Sequence, residues 1–283
     1  MNTLKIPDPI LVTLRIPDMN DVVEWHGESL CNARTGEAIP MVNGVPDLWP
    51  SGATGPENQG EMALVRDYSA TPEFGDLVTF GHGNPRFRGL LDAIGHNRLI
   101  LELGCGSGQL TNYLQLNNNF VLGIDSSLDA LNLAGRFRLR TGLTRSAFAR
   151  MHPRHLAIRD QSFDVILLRA NHPDPQQTRL TLAQGVQKLK TGGCLIVEGF
   201  NPYARPGRRF TLDEVLAWFA AHRLDYLNCF PPVLDTPGES ARTLFSATHP
   251  GNRFQRVITQ LAWLTTLNRT SGVFLVAGRK LSA

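Results

Sequence analysis

The chain has 283 residues, 42% of them hydrophobic and 19% charged, with a formal net charge of +3. That balance predicts one sizeable α/β core with an appendage, and so slight a charge neither requires nor excludes a nucleic-acid partner. No apolar stretch approaches the roughly 18 residues of a membrane span, the start lacks a basic-then-apolar leader, and the four cysteines lack C-x-x-C spacing, so a cytoplasmic protein with neither a disulfide framework nor a zinc site is expected.

Residues 1 to about 50 carry short β-like pieces and many turn formers, and they end in the polar, glycine- and proline-containing stretch 50–60, a linker candidate. The next segment, to about residue 97, holds helical pieces, the irregular run Tyr68 to Gly75, and His82 in a glycine-flanked turn where a solvated loop histidine is the simpler reading.

Leu99 to Leu110 carries the most information. Its apolar run ends in Glu102 and Leu103 and passes through Gly104, Cys105, Gly106, Ser107 and Gly108 into a helix. Such a run reads as an inner strand of a parallel sheet, and the glycines let a ligand approach the backbone itself. The spacing is G-x-G-x-G, and Gln109 stands where a dinucleotide fingerprint needs its third glycine. A carboxylate at Glu102 disfavours a diphosphate and suits an ammonium or sulfonium ligand; S-adenosylmethionine has both groups. A second apolar run, Phe120 to Asp125, ends in an acid about 20 residues beyond the turn, where a carboxylate can accept two ribose hydroxyls. Taken alone, each signal has a plainer account, turn chemistry for the glycines and a helix cap for the acid. Ser162 to Leu168 and Leu189 to Glu198 complete four strands in doubly wound order.

These residues resemble the class I S-adenosylmethionine-dependent methyltransferase superfamily over roughly residues 98–198. The resemblance implies a doubly wound, mostly parallel, seven-stranded sheet and S-adenosylmethionine as cofactor. It puts Glu102, Gly104, Cys105, Gly106, Gly108, Asp125, Ser126 and Arg169 around that cofactor. Met151 or His152 stands where an acid or amide after the third strand often meets adenine, a departure that leaves the adenine contacts open. In similar proteins the segment before the sheet folds over the cofactor, which makes Tyr68 a lid and substrate-side candidate, with core packing as the alternative. Substrate-facing groups commonly follow the fourth strand. Here that place holds Arg169, Asn171 and His172, and a mostly neutral His172 can act as an optional base or simply satisfy local backbone groups. Tyr203, after the fifth strand, is a further substrate-side candidate.

The first fifty residues resemble the small Trm112-like, zinc-ribbon-type module that precedes some bacterial methyltransferase domains, through Leu30-Cys31 with Gly36, then Ile39-Pro40, then Asn43-Gly44-Val45-Pro46 and Leu48. Of a ribbon's cysteines only Cys31 remains, so a metal-free structural or interaction element is expected. The division implied is therefore residues 1–50 as this module, 51–97 as linker and cofactor cover, and 98–283 as the catalytic domain.

Core elements are expected as strand 98–103, helix 107–116, strand 120–125, helix 127–139, strand 145–151, strand 163–169, helix 176–189 and strand 193–199. Thr211 with Glu214 reads as a capping box opening a helix. Leu224 to Cys229 resembles the sixth strand and Gly272 to Lys280 an antiparallel last strand beside the fifth. Between them, residues 230–270 form an insertion with an amphipathic stretch, which covers the substrate side, joins the core, or forms a subunit contact in a homodimer. The absence of an N-P-P-Y or D-P-P-Y motif argues against a base-flipping DNA enzyme, and three arginines in 203–209 read as solvated surface before phosphate site. The expected function is methyl transfer to N, O or C of a small-molecule metabolite, with no nucleic-acid or membrane partner. Two alternatives stand beside it: an RNA or protein methyltransferase guided by the N-terminal module, and a non-catalytic S-adenosylmethionine-binding scaffold.

Overall fold

The computed structural model describes residues 5–52, 85–169, 174–200, 211–230 and 273–282. In chain order the elements are α1 (Asp8–Leu11), β1 (Val23–His26), β2 (Ser29–Asn32), β3 (Met41–Val42), β4 (Val45–Leu48), α2 (Pro85–Ile94), β5 (Leu99–Leu103), α3 (Gln109–Leu114), β6 (Phe120–Asp125), α4 (Leu128–Thr141), β7 (Ser146–Met151), β8 (Phe163–Arg169), α5 (Pro175–Lys188), β9 (Leu189–Phe200), α6 (Leu212–Ala221), β10 (Leu224–Phe230) and β11 (Val273–Lys280). All the core strands and helices expected from the sequence are present.

The main sheet runs β10-β11-β9-β8-β5-β6-β7-β4-β3. Pairings from β9 through β4 are parallel, and β11 enters antiparallel between β9 and β10. The seven expected strands are thus all there, and two more extend the sheet. Strand order reverses between β5 and β8, so the crevice of such a sheet opens beyond the carboxyl ends of those two strands.

Strand parity sorts the core into two layers. On one face Leu101, Leu103, Leu122, Ile124, Ile166, Leu168, Leu195 and Val197 pack with Leu182 of α5 and with Val215, Trp218 and Phe219 of α6. On the other, Ile100, Val121, Val165, Leu167, Cys194 and Ile196 pack with Phe87, Leu90 and Ile94 of α2 and Leu110, Tyr113 and Leu114 of α3. Near-continuous apolar strands follow from this two-sided burial. Helix ends are set by local chemistry. Ser127 caps α4, Asp174 caps α5 ahead of Pro175, and Thr211 with Glu214 forms a complete capping box on α6.

The first fifty residues do not stand apart from this core. β4 pairs in parallel with β7 through Asp47 opposite Arg150 and Leu48 opposite Met151. Ile6, Ile10, Leu14, Val23, Leu30 and Leu48 belong to the same buried cluster as the sheet residues, whereas β1 and β2 form a separate hairpin. With Leu48 only 1% exposed, Leu48→Ala is expected to cost about 2–5 kcal/mol of global stability, readable as a single lowered urea midpoint. A module folding by itself would instead give two transitions with the second unmoved.

Candidate active site

Parallel pairing aligns the carboxyl ends of six neighbouring strands, and one cross-strand row at that edge is charged. Asp47 lies opposite Arg150, Arg150 opposite Asp125, and Arg169 opposite Glu198. Gly104, the residue after β5, fills the central place, because Leu103 pairs with Ile124 and Leu168 one step earlier. Directly opposed residues project from one face. The rim therefore reads carboxylate, guanidinium, carboxylate, glycine, guanidinium, carboxylate.

The glycine turn leaves the middle of this row open. Gly104 and Gly106 have φ of +76° and +54°, and a Cβ built on either meets nothing within 4 Å. Gly108, at φ +76°, differs, since its Cβ would lie 2.5 Å from the Phe148 ring and 2.9 Å from Ala134. The first two glycines keep space clear above the backbone, and the third lets α3 sit close to β7.

Asp125, 5% exposed, ties this turn to the next. Its Oδ2 accepts the Gly106 N–H at 2.8 Å and its Oδ1 accepts the Ser127 N–H at 2.9 Å. Burial pushes the Asp125 carboxyl above its ordinary range, opposed by the amides of Ser127, Gly106 and Ser126 and by the charge of Arg169. Arg169 lies 3.7 Å from Glu198, whose side chain is 6% exposed, so its positive charge sits between two carboxylates.

The other expected residues fall as follows. Glu102 is fully buried, and its carboxylate accepts the hydroxyl of Thr111 on α3; it braces strand against helix beneath the turn. Strand parity explains this, since Glu102 faces the α3 side opposite Gly123, where any Cβ would strike Thr111 Oγ1 at 2.6 Å. Cys105 is buried within the turn, packed with Ala134 and Phe148. The Ser126 carbonyl accepts from Arg150 Nε at 3.1 Å. Met151 is 1% exposed and belongs to the core on the opposite face. His152, at 7%, has its ring edge-on to Trp49 at 5.0 Å. Tyr68, His82, Asn171, His172 and Tyr203, and with them the 203–209 loop and nearly all of the 230–270 insertion, lie outside the described residues. Sequence reasoning passed over Glu198, although aligning the ends of β8 and β9 puts it beside Arg169.

Residues 100–193 match the family described as methyltransferase domain. Among solved structures, the fold is similar to a SAM-dependent methyltransferase from Methanosarcina mazei, at 19% identity over 69% of this chain and 97% of that one, with a TM-score of 0.50. It is also similar to a chain from the complex of the Haloferax volcanii Trm112 methyltransferase activator and a methyltransferase, at 16% identity, 78% and 97% coverage and a TM-score of 0.53. A geranyl diphosphate methyltransferase in complex with SAM gives 16% identity, 76% and 95% coverage and a TM-score of 0.50. No curated protein matches the chain. The fold is thus the Rossmann-like methyltransferase fold. Residues 100–193 carry the match to a methyltransferase domain, and the cofactor that this family implies is S-adenosylmethionine.

The residues present fit that cofactor. A backbone cradle without side chains spans Gly104 and Gly106, and Asp125 holds two oxygens at its margin, each with a lone pair beyond its amide bond. Among the described residues no helix is long and apolar enough to cross a membrane.

Proposed function

We propose that this chain transfers a methyl group from S-adenosylmethionine to a nitrogen, oxygen or carbon nucleophile of a small-molecule metabolite. The observation that carries the reading is the charged row beside the glycine cradle, where a part-exposed Arg169 lies 3.7 Å from a Glu198 side chain that is 6% exposed. An ion pair of this kind suits the polar groups of a compact acceptor. One of the similar folds is named for a small acceptor, geranyl diphosphate, and a net charge of +3 does not require a polyanionic partner.

S-adenosylmethionine supplies an already electrophilic methyl group. The protein's part is therefore mainly placement, an effect worth up to roughly 7–11 kcal/mol when reactants are well oriented. Gly104 and Gly106 hold backbone clear for the cofactor, Asp125 orients its sugar, and Arg169 with Glu198 orients the acceptor's polar groups. In this reading His172 is the base when the nucleophile carries a proton. The first fifty residues act as a metal-free structural element, and the protein works in the cytoplasm.

Incubating the protein with labelled cofactor and a deproteinised metabolite extract is expected to give a small product heavier by one methyl group, with S-adenosylhomocysteine formed in equal amount. Label appearing only in bulk RNA or protein would overturn the small-acceptor reading.

A further inference from the structure

The sheet continues past Asp125 to β7 and then to β4, and this wing is built differently from what the order of motifs suggests. Met151 is turned into the core on the far face. His152 lies beneath the surface, its Nδ1 accepting the Arg154 N–H at 3.1 Å and its ring 5.3 Å from that of His155. Trp49, the residue after β4, is half-buried, and Arg150 lies over it with the guanidinium carbon 4.5 Å from the ring centroid.

Three contacts fix that guanidinium: the indole face, Asp47 Oδ2 at 3.0 Å, and the Ser126 carbonyl at 3.1 Å. Asp47 also accepts the Trp49 backbone N–H through Oδ1, at 3.2 Å. One carboxylate from β4 therefore sets both the indole and the cation stacked on it. Arg150 is the direct cross-strand partner of Asp125, and neighbouring strands lie about 4.8 Å apart. A base joined to a sugar held at Asp125 has this wing beside it.

We propose that Trp49 and Arg150, set by Asp47, form the wall against which the adenine of S-adenosylmethionine rests. On this account β4, which lies outside the matched segment 100–193, is a working part of the cofactor site. The chemistry is that of a flat purine against an indole and a guanidinium plane, which needs no acid or amide after β7. The inference rests on the cofactor assignment, and its test separates the two.

S-adenosylhomocysteine is titrated calorimetrically into the full-length wild type, Trp49→Ala and Trp49→Phe, with indole emission followed in parallel. Base–aromatic stacking predicts an affinity loss of about tenfold or more for Trp49→Ala and about threefold or less for Trp49→Phe. Emission of the wild type should change on binding, and that change should be missing from Trp49→Phe, which keeps the stack without the reporter. Wild-type affinity in Trp49→Ala overturns the wall while leaving the cofactor assignment standing. Failure of the wild type to bind overturns both. Should Trp49→Ala not fold, the emission difference between wild type and Trp49→Phe decides: an unaltered change in Trp49→Phe overturns the proposal.

Discussion

Replacing Asp125 by alanine is expected to weaken S-adenosylhomocysteine binding more than tenfold. A carboxylate accepting a ribose hydroxyl makes a charge-assisted bond worth roughly 1.5–3 kcal/mol, and about 1.4 kcal/mol already corresponds to a factor of ten. The same oxygens hold the Gly106 and Ser127 amides. Removing them strips the cradle of its brace as well as the ligand of its partner, and both losses act in one direction. Asp125→Asn keeps a single acceptor oxygen and should fall between wild type and alanine. Calorimetry on protein shown to be folded by circular dichroism checks the order. Undiminished affinity in Asp125→Ala would show that the sugar is not held there.

The second large effect contrasts two glycines four residues apart. Gly104→Ala adds a methyl group that meets nothing within 4 Å, so the protein bears only the left-handed backbone, about 1–2 kcal/mol, and stays folded. Its methyl group projects into the space the cofactor occupies, and binding should be abolished. Gly108→Ala has the same backbone cost at φ +76° and also drives a Cβ to 2.5 Å from the Phe148 ring and 2.9 Å from Ala134. Overpacking adds about 1–3 kcal/mol, so a loss of roughly 2–5 kcal/mol is expected. Paired urea denaturation and S-adenosylhomocysteine titration separate the two: Gly104→Ala should fail in binding and pass in stability, Gly108→Ala the reverse wherever it remains folded. Equal stability losses at both positions would refute the division of labour within the turn.

Much of this architecture was legible in the sequence. β5, β6 and β9 are apolar runs ended by glycine or an acid, and β8 is one ended by Arg169, because each is covered on both faces and stops at a crevice. The antiparallel place of β11 between β9 and β10 was legible only through resemblance, since an isolated apolar run does not disclose its neighbours. Strands β3 and β4 span two and four residues, too short for a period to declare itself. Their membership in the sheet depends on pairing with β7, a hundred residues on. The stacking of Arg150 on Trp49 was invisible for the same reason. Glu102 was read as facing a ligand from its place beside the turn; it shares the parity of Gly104 and Asp125 but lies one pleat beneath them, opposite Gly123 and under α3. Thr111, nine residues on in α3, is the partner that parity would have pointed to. For Tyr68, Asn171, His172 and Tyr203 the sequence reading stands unmatched by any described geometry.

The parallel join between β4 and β7 bears on how this molecule can be cut. A fragment trimmed to begin after the proline- and glycine-containing stretch would strip β7 of its outer neighbour and leave a row of unsatisfied amides and carbonyls along a flat flank. Exposed flanks of that kind recruit strands from other molecules, so trimming would open this sheet to edge-to-edge association.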